Sequence, residues 1–183
     1  MDTSRSSPSL AVAGWSIRKA LVLCSAVMDV LLPLSTTFML WKGLSIATNS
    51  SYPLVCVVSE SMAPTFHRGD LLLLWNWTTS VEPGDIPVVW FYGAPLPMVH
   101  RIIQTMQDTS GLQSFLTKGD NNIVDDVALY PGQRTSVYRS EVVGFVRGYV
   151  PYMGWFVIAF QDFYWMKYGV GILIVVILLL AGL

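Results

Sequence analysis

Residues 56–76, CVVSESMAPTFHRGDLLLLWN, place a short polar turn between two apolar runs. Apolar and β-branched runs of this length, separated by Pro and Gly, are typical of strands joined by a turn. Ser61 stands at the start of the turn, where its hydroxyl is either a solvated turn group or a nucleophile. The stretch therefore predicts β structure, and Ser61 becomes important if a base lies near it.

Similar short runs continue from about residue 43 to residue 148. Turn signals separate them, such as Glu-Pro-Gly-Asp at 82–85 and Lys-Gly-Asp-Asn at 118–121. The predicted strands are 54–58, 71–75, 87–92, 98–106, 114–118 and 142–146. We therefore expect a mainly β fold whose central domain is a small antiparallel sheet or barrel.

The composition indicates that this domain is attached to a membrane. Hydrophobic residues make up 53% of the chain and charged residues only 13%. The net charge is −1, from 11 basic and 12 acidic residues that are dispersed along the chain. Because no basic stripe or acidic tail is present, we expect no nucleic-acid partner.

Residues 20–41, ALVLCSAVMDVLLPLSTTFMLW, form an apolar run long enough to cross a bilayer of ~30 Å at ~1.5 Å per residue. Asp29 and Pro33 interrupt it. Since a charge near mid-membrane costs about 2.5–3.5 kcal/mol, we expect Asp29 to face a partner helix or water. Pro33 could kink the helix.

Basic residues flank this run unequally: Arg5, Arg18 and Lys19 precede it, and only Lys42 follows. The positive-inside rule therefore predicts a cytosolic N-terminus, with the chain after residue 42 across the membrane. The alternative is a cleaved signal peptide. We favour an uncleaved anchor, because the run is longer than a usual signal core and no small-x-small site follows it.

The C-terminal residues 169–183 carry no charge but span only roughly 22 Å as a helix. They fit a short or tilted span, an interfacial helix, or a helix packed on other membrane subunits, which we favour. The predicted divisions are a cytosolic tail (1–19), an anchor helix (20–41), a lumenal β-rich domain (42–150) and an apolar, helical, membrane-associated segment (151–183).

The sequence predicts no metal or cofactor site. It contains two cysteines and two histidines, without a Cys-x-x-Cys motif or a His pair at ligand spacing. Cys24 lies in the predicted span and Cys56 in the β domain, so we expect no disulfide between them.

Two histidines could serve Ser61 as a base. His67 belongs to the same turn and reads as an exposed loop residue. His100 lies in PMVHRIIQ, which predicts a strand that could run beside the strand preceding Ser61. His100 is therefore a candidate base, and a buried core histidine without a role is the alternative.

A carboxylate is also needed to orient the imidazole. Residues 117–126, TKGDNNIVDD, supply Asp120, Asp125 and Asp126. Such a cluster is otherwise a solvated turn or a cation loop, although its spacing does not match an EF-hand. The cluster therefore offers candidates without choosing among them.

The motifs SESMAPTFHRGDLLLLWN, GDIPVVWF, MVHRIIQ and FLTKGDNNIVDD, in this order, resemble the catalytic subunits of the eukaryotic endoplasmic-reticulum signal peptidase complex. The resemblance makes Ser61 the nucleophile and His100 the general base, at a position where bacterial type I signal peptidases have lysine. It makes Asp126 the orienting carboxylate, with Asp120 as the alternative. Ser59 and the backbone N–H of Ser61 would form the oxyanion hole.

The resemblance implies a serine endopeptidase that removes signal peptides in the endoplasmic reticulum membrane. Small apolar pockets would select short side chains at the first and third positions before the cut. It further implies a single-pass type II protein with a lumenal catalytic domain, embedded in the lipid bilayer beside other membrane subunits. A non-catalytic structural paralogue is one alternative, although it would be expected to lose the nucleophile or the base. A binding module that uses Arg-Gly-Asp at 68–70 is another.

The chain departs from the family's usual Ser-Gly-Ser-Met-Glu-Pro box beside the nucleophile. Glu60 replaces the glycine, and Ala63 replaces the glutamate. A carboxylate here would oppose the negative charge that develops on the oxyanion. We therefore expect Glu60 to point away from the cleft, into solvent or toward Arg68 or Arg101.

Overall fold

The computed structural model describes residues 8–107 and 111–181. This part of the chain forms two compact units. One unit covers Lys42–Asp162, and the other combines the chain before residue 42 with the chain from Phe163 onward. The predicted sheet strands all belong to the first unit.

Helix α1, Pro8–Thr48, is longer at both ends than the predicted anchor. The predicted tail is helical from Pro8, while residues 1–7 lie outside the described part. The helix ends at Thr48, and the next residue, Asn49, has a left-handed φ of 53°. The N–H groups of Asn49 and Ser50 then donate to carbonyls of the last helical turn. Residue 41 thus ends the apolar run, while the helix continues to Thr48.

Within α1, Arg18–Thr48 is long and apolar enough to cross a membrane, and it is the one such segment in the described part of the chain. The helix continues through Pro33. The hydroxyls of Thr36 and Thr37 donate to the Pro33 carbonyl at 3.0 and 2.7 Å. Helical structure in this region therefore persists despite the proline.

The C-terminal region is helical, as expected, in α2 (Trp155–Asp162) and α3 (Tyr164–Ala181). The two helices belong to different compact units, because the division falls at Phe163. Ile158 of α2 is buried. The predicted segment 151–183 is thus divided, and α2 belongs with the β domain.

In the described residues, eight strands form two antiparallel sheets, which confirms the mainly β fold class. The strands are β1 (Leu54–Cys56), β2 (Leu71–Trp75), β3 (Pro87–Val89), β4 (Met98–Val99), β5 (Arg101–Gln107), β6 (Gln113–Lys118), β7 (Val137–Tyr138) and β8 (Val142–Val150). The order in the larger sheet is β1-β2-β8-β3-β4, and in the smaller sheet β5-β6-β7. β1 and β4 are therefore the outer strands of the larger sheet.

Alternate side chains of strand β2 are fully buried and form part of the apolar core. Leu72 and Leu74 are fully buried, while Trp75 is exposed. The two leucines pack in one apolar cluster with Met62 and Phe66, which come from the turn that follows β1. Burial of the Met62 and Phe66 side chains fixes the turn that carries Ser61.

The predicted strand 98–106 is interrupted in the structure. β4 ends at Val99, and β5 begins at Arg101 in the other sheet. His100 lies between them and is 6% exposed. The chain passes from one sheet to the other at His100, which places the imidazole in the interior where the sheets meet.

Candidate active site

Local hydrogen bonds shape the turn that holds Ser61. The N–H of Ala63 donates to the Glu60 carbonyl at 3.1 Å, and that of Phe66 donates to the Met62 carbonyl at 3.0 Å. The side chains of Met62 and Phe66 are buried in the apolar cluster and anchor this turn to the core. Ser61 is therefore held by a closed turn rather than by a free loop.

The loop after β6 binds this turn from the outside. The Asn121 N–H donates to the Ser61 carbonyl at 2.9 Å, and Asn121 Nδ2 donates to the Glu60 carbonyl at 3.1 Å. A Cβ atom on Gly119 would lie 2.7 Å from the Ser61 carbonyl oxygen. Only glycine allows the loop to approach the turn this closely.

Three predicted side chains meet in this region. Ser61 Oγ lies 3.0 Å from His100 Nε2, and His100 Nδ1 lies 2.6 Å from Asp126 Oδ2. His100 and Asp126 are buried, and Ser61 is partly exposed. The structure therefore joins a hydroxyl, an imidazole and a carboxylate in a line that runs from the surface to the interior.

One expectation about His100 is wrong. The strand that precedes it, β4, pairs with β3 and not with β1, the strand before Ser61. β1 and β4 lie at opposite ends of the strand order. The side chains of Ser61 and His100 nevertheless meet. They are brought together by the curl of the sheet rather than by pairing of their strands.

This line of groups can activate a hydroxyl. An ionised Asp126 carboxylate only accepts hydrogen bonds, so its contact places the imidazole proton on His100 Nδ1. His100 Nε2 then offers a lone pair to the Ser61 O–H. The imidazole can therefore remove the hydroxyl proton while the carboxylate holds the ring in place.

Asp126 has one further partner, Thr117, and Thr117 in turn contacts Tyr130; the sequence pattern identified neither residue. Thr117 Oγ1 donates to Asp126 Oδ2 at 2.7 Å. Thr117 Oγ1 also lies 2.9 Å from the Tyr130 hydroxyl, which accepts the Thr117 N–H at 2.9 Å. Burial, as the largest cause, raises the pKa of Tyr130, so its phenol is neutral. A threonine within a predicted strand gives no local signal of such a contact.

Asp120, the alternative carboxylate, faces another partner. Arg101 Nε and Nη2 donate to its two oxygens at 2.8 and 2.7 Å, and Thr65 Oγ1 donates at 2.6 Å. The hydrogen bond from Arg101 is the main reason that the pKa of Asp120 is lowered. Asp125 is exposed and accepts the Val127 N–H at 3.3 Å. Of the three acids, the structure thus brings Asp126 against His100.

Glu60 interacts with the turn and does not line the cavity beside Ser61. Its Oε2 lies 3.2 Å from His67 Nδ1, and its Oε1 accepts the backbone N–H of Arg68 at 3.1 Å. Glu60 thus points away from the cavity, as expected, and its half-exposed carboxylate contacts His67 rather than the side chain of Arg68 or Arg101. His67 has 57% of its side chain exposed.

Ser59 lies beside the candidate nucleophile, with 3.3 Å between the two Oγ atoms. It is exposed and lines the same cavity as Ser61. A hydroxyl in this position can donate to an oxygen held near Ser61 Oγ.

A cavity of about 520 Å³ opens beside Ser61 and His100. Its walls include all three residues of β1, both residues of β4, and Val157, Ile158 and Gln161 of α2. Among the described strands, β1 pairs only with β2 and β4 only with β3. The cavity is thus bordered by two strands that each have an edge without a strand partner.

The Arg-Gly-Asp tripeptide does not form an adhesive loop. Asp70 is 4% exposed, and its carboxylate accepts the N–H groups of His67 at 2.9 Å and Tyr152 at 3.2 Å. The aspartate therefore serves the fold. In residues 8–107 and 111–181, no group of three or more His, Cys, Asp or Glu side chains could hold a metal ion, and both cysteines are free.

No family model matches the chain, but several known proteins are similar to it. It is 44% identical over 153 residues to the "Signal peptidase complex catalytic subunit sec11" of Penicillium rubens, which covers 83% of this chain and 87% of the relative. It is 40% identical over 174 residues to the protein of the same name from Talaromyces marneffei, with 86% and 91% covered. For Aspergillus oryzae sec11 the identity is 43% over 157 residues, with 77% and 82% covered.

Proposed function

Because this chain belongs to the family of signal peptidase complex catalytic subunits, we propose that it is a membrane-bound serine endopeptidase that removes signal peptides. The observation that carries the proposal is the line from Ser61 through His100 to Asp126, with contacts of 3.0 and 2.6 Å. The similar proteins are named as catalytic subunits, which gives no support to a non-catalytic paralogue.

In this mechanism Ser61 Oγ attacks the carbonyl carbon of the scissile peptide bond while His100 Nε2 takes the hydroxyl proton. His100 passes that proton to the leaving amine, and an acyl-enzyme remains on Ser61. Water, deprotonated by the same imidazole, then hydrolyses the ester. Asp126 holds the tautomer and stabilises the imidazolium that forms in each step.

The carbonyl oxygen becomes negatively charged in the tetrahedral intermediate and needs donors. The Ser59 hydroxyl and the backbone N–H of Ser61 supply them in our proposal. The distance of 3.3 Å between Ser59 Oγ and Ser61 Oγ supports this role. The contacts of Glu60 with His67 and Arg68 keep its carboxylate engaged elsewhere.

The cavity suits an extended peptide. The free edges of β1 and β4 can each pair with a strand that lies between them. The apolar walls would admit short side chains near the cut and exclude bulky ones. A signal peptide, which is apolar and ends in small residues, fits both features.

The location follows from the anchor and from the family. We place the protein in the endoplasmic reticulum membrane as a single-pass type II protein, with residues 1–19 cytosolic and the unit Lys42–Asp162 lumenal. The excess of basic residues before α1's apolar run supports this orientation. Other membrane subunits of a signal peptidase complex are its partners.

The test is cleavage of a secretory precursor with alanine at the first and third positions before the cut. The full chain is assembled with its partner subunits, and the cleaved product is followed on a gel. Ser61→Ala should abolish cleavage, while the matched control Ser140→Ala, an exposed serine of the same unit, should leave it unchanged. Normal cleavage by Ser61→Ala would overturn the proposal.

A further inference from the structure

A buried row of hydroxyl groups continues the line of catalytic side chains behind Asp126. Thr117 has one hydroxyl proton, and it is donated to Asp126 Oδ2 at 2.7 Å. In the contact of 2.9 Å between Thr117 Oγ1 and the Tyr130 hydroxyl, the proton must therefore come from Tyr130. The order of donation is Tyr130 to Thr117 to Asp126, and it leads toward His100.

We propose that Thr117 and Tyr130 are positioning residues of the peptidase reaction, which hold the Asp126 carboxylate in its orientation behind His100. The proposal rests on the proposed function, because it concerns the same site. Nothing in the local sequence marks either residue; only the fold brings Thr117 to the carboxylate and Tyr130 to Thr117.

Burial makes these contacts consequential. Asp126 and Thr117 have no exposed surface, and Tyr130 is 5% exposed. Asp126 Oδ1 has no hydrogen-bond partner within the described residues, so Oδ2 receives both side-chain bonds. An ionised carboxylate in such surroundings depends on each donor that it has, because water does not compensate for a missing one.

The backbone reinforces the arrangement. The Asp126 N–H donates to the Thr117 carbonyl at 3.1 Å, and the Thr117 N–H donates to the Tyr130 hydroxyl at 2.9 Å. The Tyr130 ring packs edge-on against Phe91, with 5.9 Å between centroids. Strand β6 thus holds the carboxylate through Thr117, while the aromatic core fixes the phenol.

Two substitutions of Thr117 distinguish a role in orienting Asp126 from a role in packing the core. Thr117→Val keeps the shape and loses the hydroxyl, whereas Thr117→Ser keeps the hydroxyl and loses the methyl group. We expect Thr117→Val to lower kcat about 10- to 100-fold with little change in KM, as for loss of a hydrogen bond to a charged group. Thr117→Ser should retain most of the activity. A purely structural threonine would show the reverse order, because valine fills the core better.

Tyr130→Phe supplies an independent test, because it removes only the hydroxyl and keeps the ring against Phe91. We expect a smaller fall in kcat, about 3- to 10-fold, since Thr117 still donates to Asp126. Each variant is assayed as the assembled full chain on the precursor described above, with thermal unfolding measured in parallel.

The outcomes are distinct. Cleavage by the wild type but not by Ser61→Ala, with Thr117→Ser more active than Thr117→Val, supports the positioning role. Cleavage by the wild type with Thr117→Val as active as Thr117→Ser, at equal stability, overturns that role and leaves the proposed function intact. A wild-type chain that does not cleave, or a Ser61→Ala chain that does, overturns the proposed function and the positioning role together.

Discussion

Glu60 shows how one residue beside a nucleophile can be tolerated. Its two oxygens contact His67 Nδ1 and the Arg68 N–H, so the carboxylate lies against the far side of the turn. Glycine at this position would remove those contacts without changing the cavity walls. The acid therefore contacts the turn and lies outside the cavity walls.

We predict that Glu60→Gly leaves precursor cleavage equal or faster at constant expression. The reason is that the change removes a negative charge near the developing oxyanion. Glu60→Gln serves as the control, because it keeps the side chain and loses the charge. A large loss of activity in both variants would reveal a catalytic role for the carboxylate, and a loss in Glu60→Gly alone would show that its contacts with the turn are needed for activity.

Asp120 gives a prediction about acid stability. Its pKa is lowered chiefly by Arg101, so the folded state holds the ionised form more tightly than the unfolded chain does. Its contribution to stability is thus complete above an ordinary Asp pKa of about 3.9 and is lost as the pH falls through the lowered value. Asp120→Asn should unfold more easily at neutral pH, by roughly 1 kcal/mol for a part-exposed pair, and the difference should vanish in acid.

The measurement is thermal unfolding of both proteins from pH 7 down to acid. Asp125→Asn is the matched control, because Asp125 is exposed and accepts only the Val127 N–H at 3.3 Å. A difference between wild type and Asp120→Asn that persisted unchanged at the lowest pH would show that the pair with Arg101 is not its source.

The sequence identified Ser61 and His100 because only two histidines are present and the motifs resemble a known family. The resemblance favoured Asp126 over Asp120, but the residues alone did not choose between them, since the two acids share one loop and differ in orientation only after folding. Thr117 and Tyr130 were missed for the same reason. Hydrogen bonds between residues distant in sequence are set by tertiary packing, which a local pattern does not contain.

At the scale of elements, the loop that begins at Gly119 packs against the backbone of Ser61. A Cβ at Gly119 would lie 2.7 Å from the Ser61 carbonyl and 2.7 Å from Asn122 Nδ2. The side chain could yield, but the backbone oxygen could not. Any larger residue must therefore move the loop or the turn.

We predict that Gly119→Ala lowers kcat by at least about tenfold, because displacement of Ser61 by even a few tenths of an ångström disturbs the contact with His100. Gly148→Ala is the matched control, since its Cβ would meet only the Leu73 side chain at an ordinary 3.9 Å. Precursor cleavage and thermal unfolding are compared for the two variants. Full activity of Gly119→Ala would show that this loop does not restrain the nucleophile.

The strands were predictable to different degrees. β2 begins and ends where the leucine run predicts, because Gly69-Asp70 and Asn76 bound it. β7, only Val137–Tyr138, was missed, since two residues carry no period. The break at His100 was also missed, because Val99 and Ile102 give the run an apolar character around it and the change of sheet depends on pairing partners far along the chain.

At the scale of the whole molecule, Asp29 of the anchor helix is costly to place in the hydrocarbon core of a bilayer. Asp29 lies inside the apolar run of α1 and is exposed. A carboxylate there is best accommodated by a polar group of a partner helix. We therefore expect α1 to contact other membrane subunits near this residue.

Asp29→Leu should reduce recovery of the partner subunits with this chain after mild detergent extraction, by about tenfold or more for the loss of a buried polar contact. Met28→Leu is the control, because it changes an exposed apolar neighbour on the same helix. Quantitative mass spectrometry of the purified material measures both. Undiminished recovery with Asp29→Leu would show that the acid does not hold the assembly.

The step that most needs an experiment is the activation of Ser61 by His100, which Asp126 holds in place, and the rate of cleavage by His100→Ala measures it. The assembled complex is followed under single-turnover conditions, with Lys118→Ala as the control for a lysine base. We expect His100→Ala to cleave the precursor roughly 10²- to 10⁴-fold more slowly, the range for loss of a general base, and Lys118→Ala to be unchanged. A His100→Ala enzyme that cleaves at the wild-type rate would show that the imidazole is not the base.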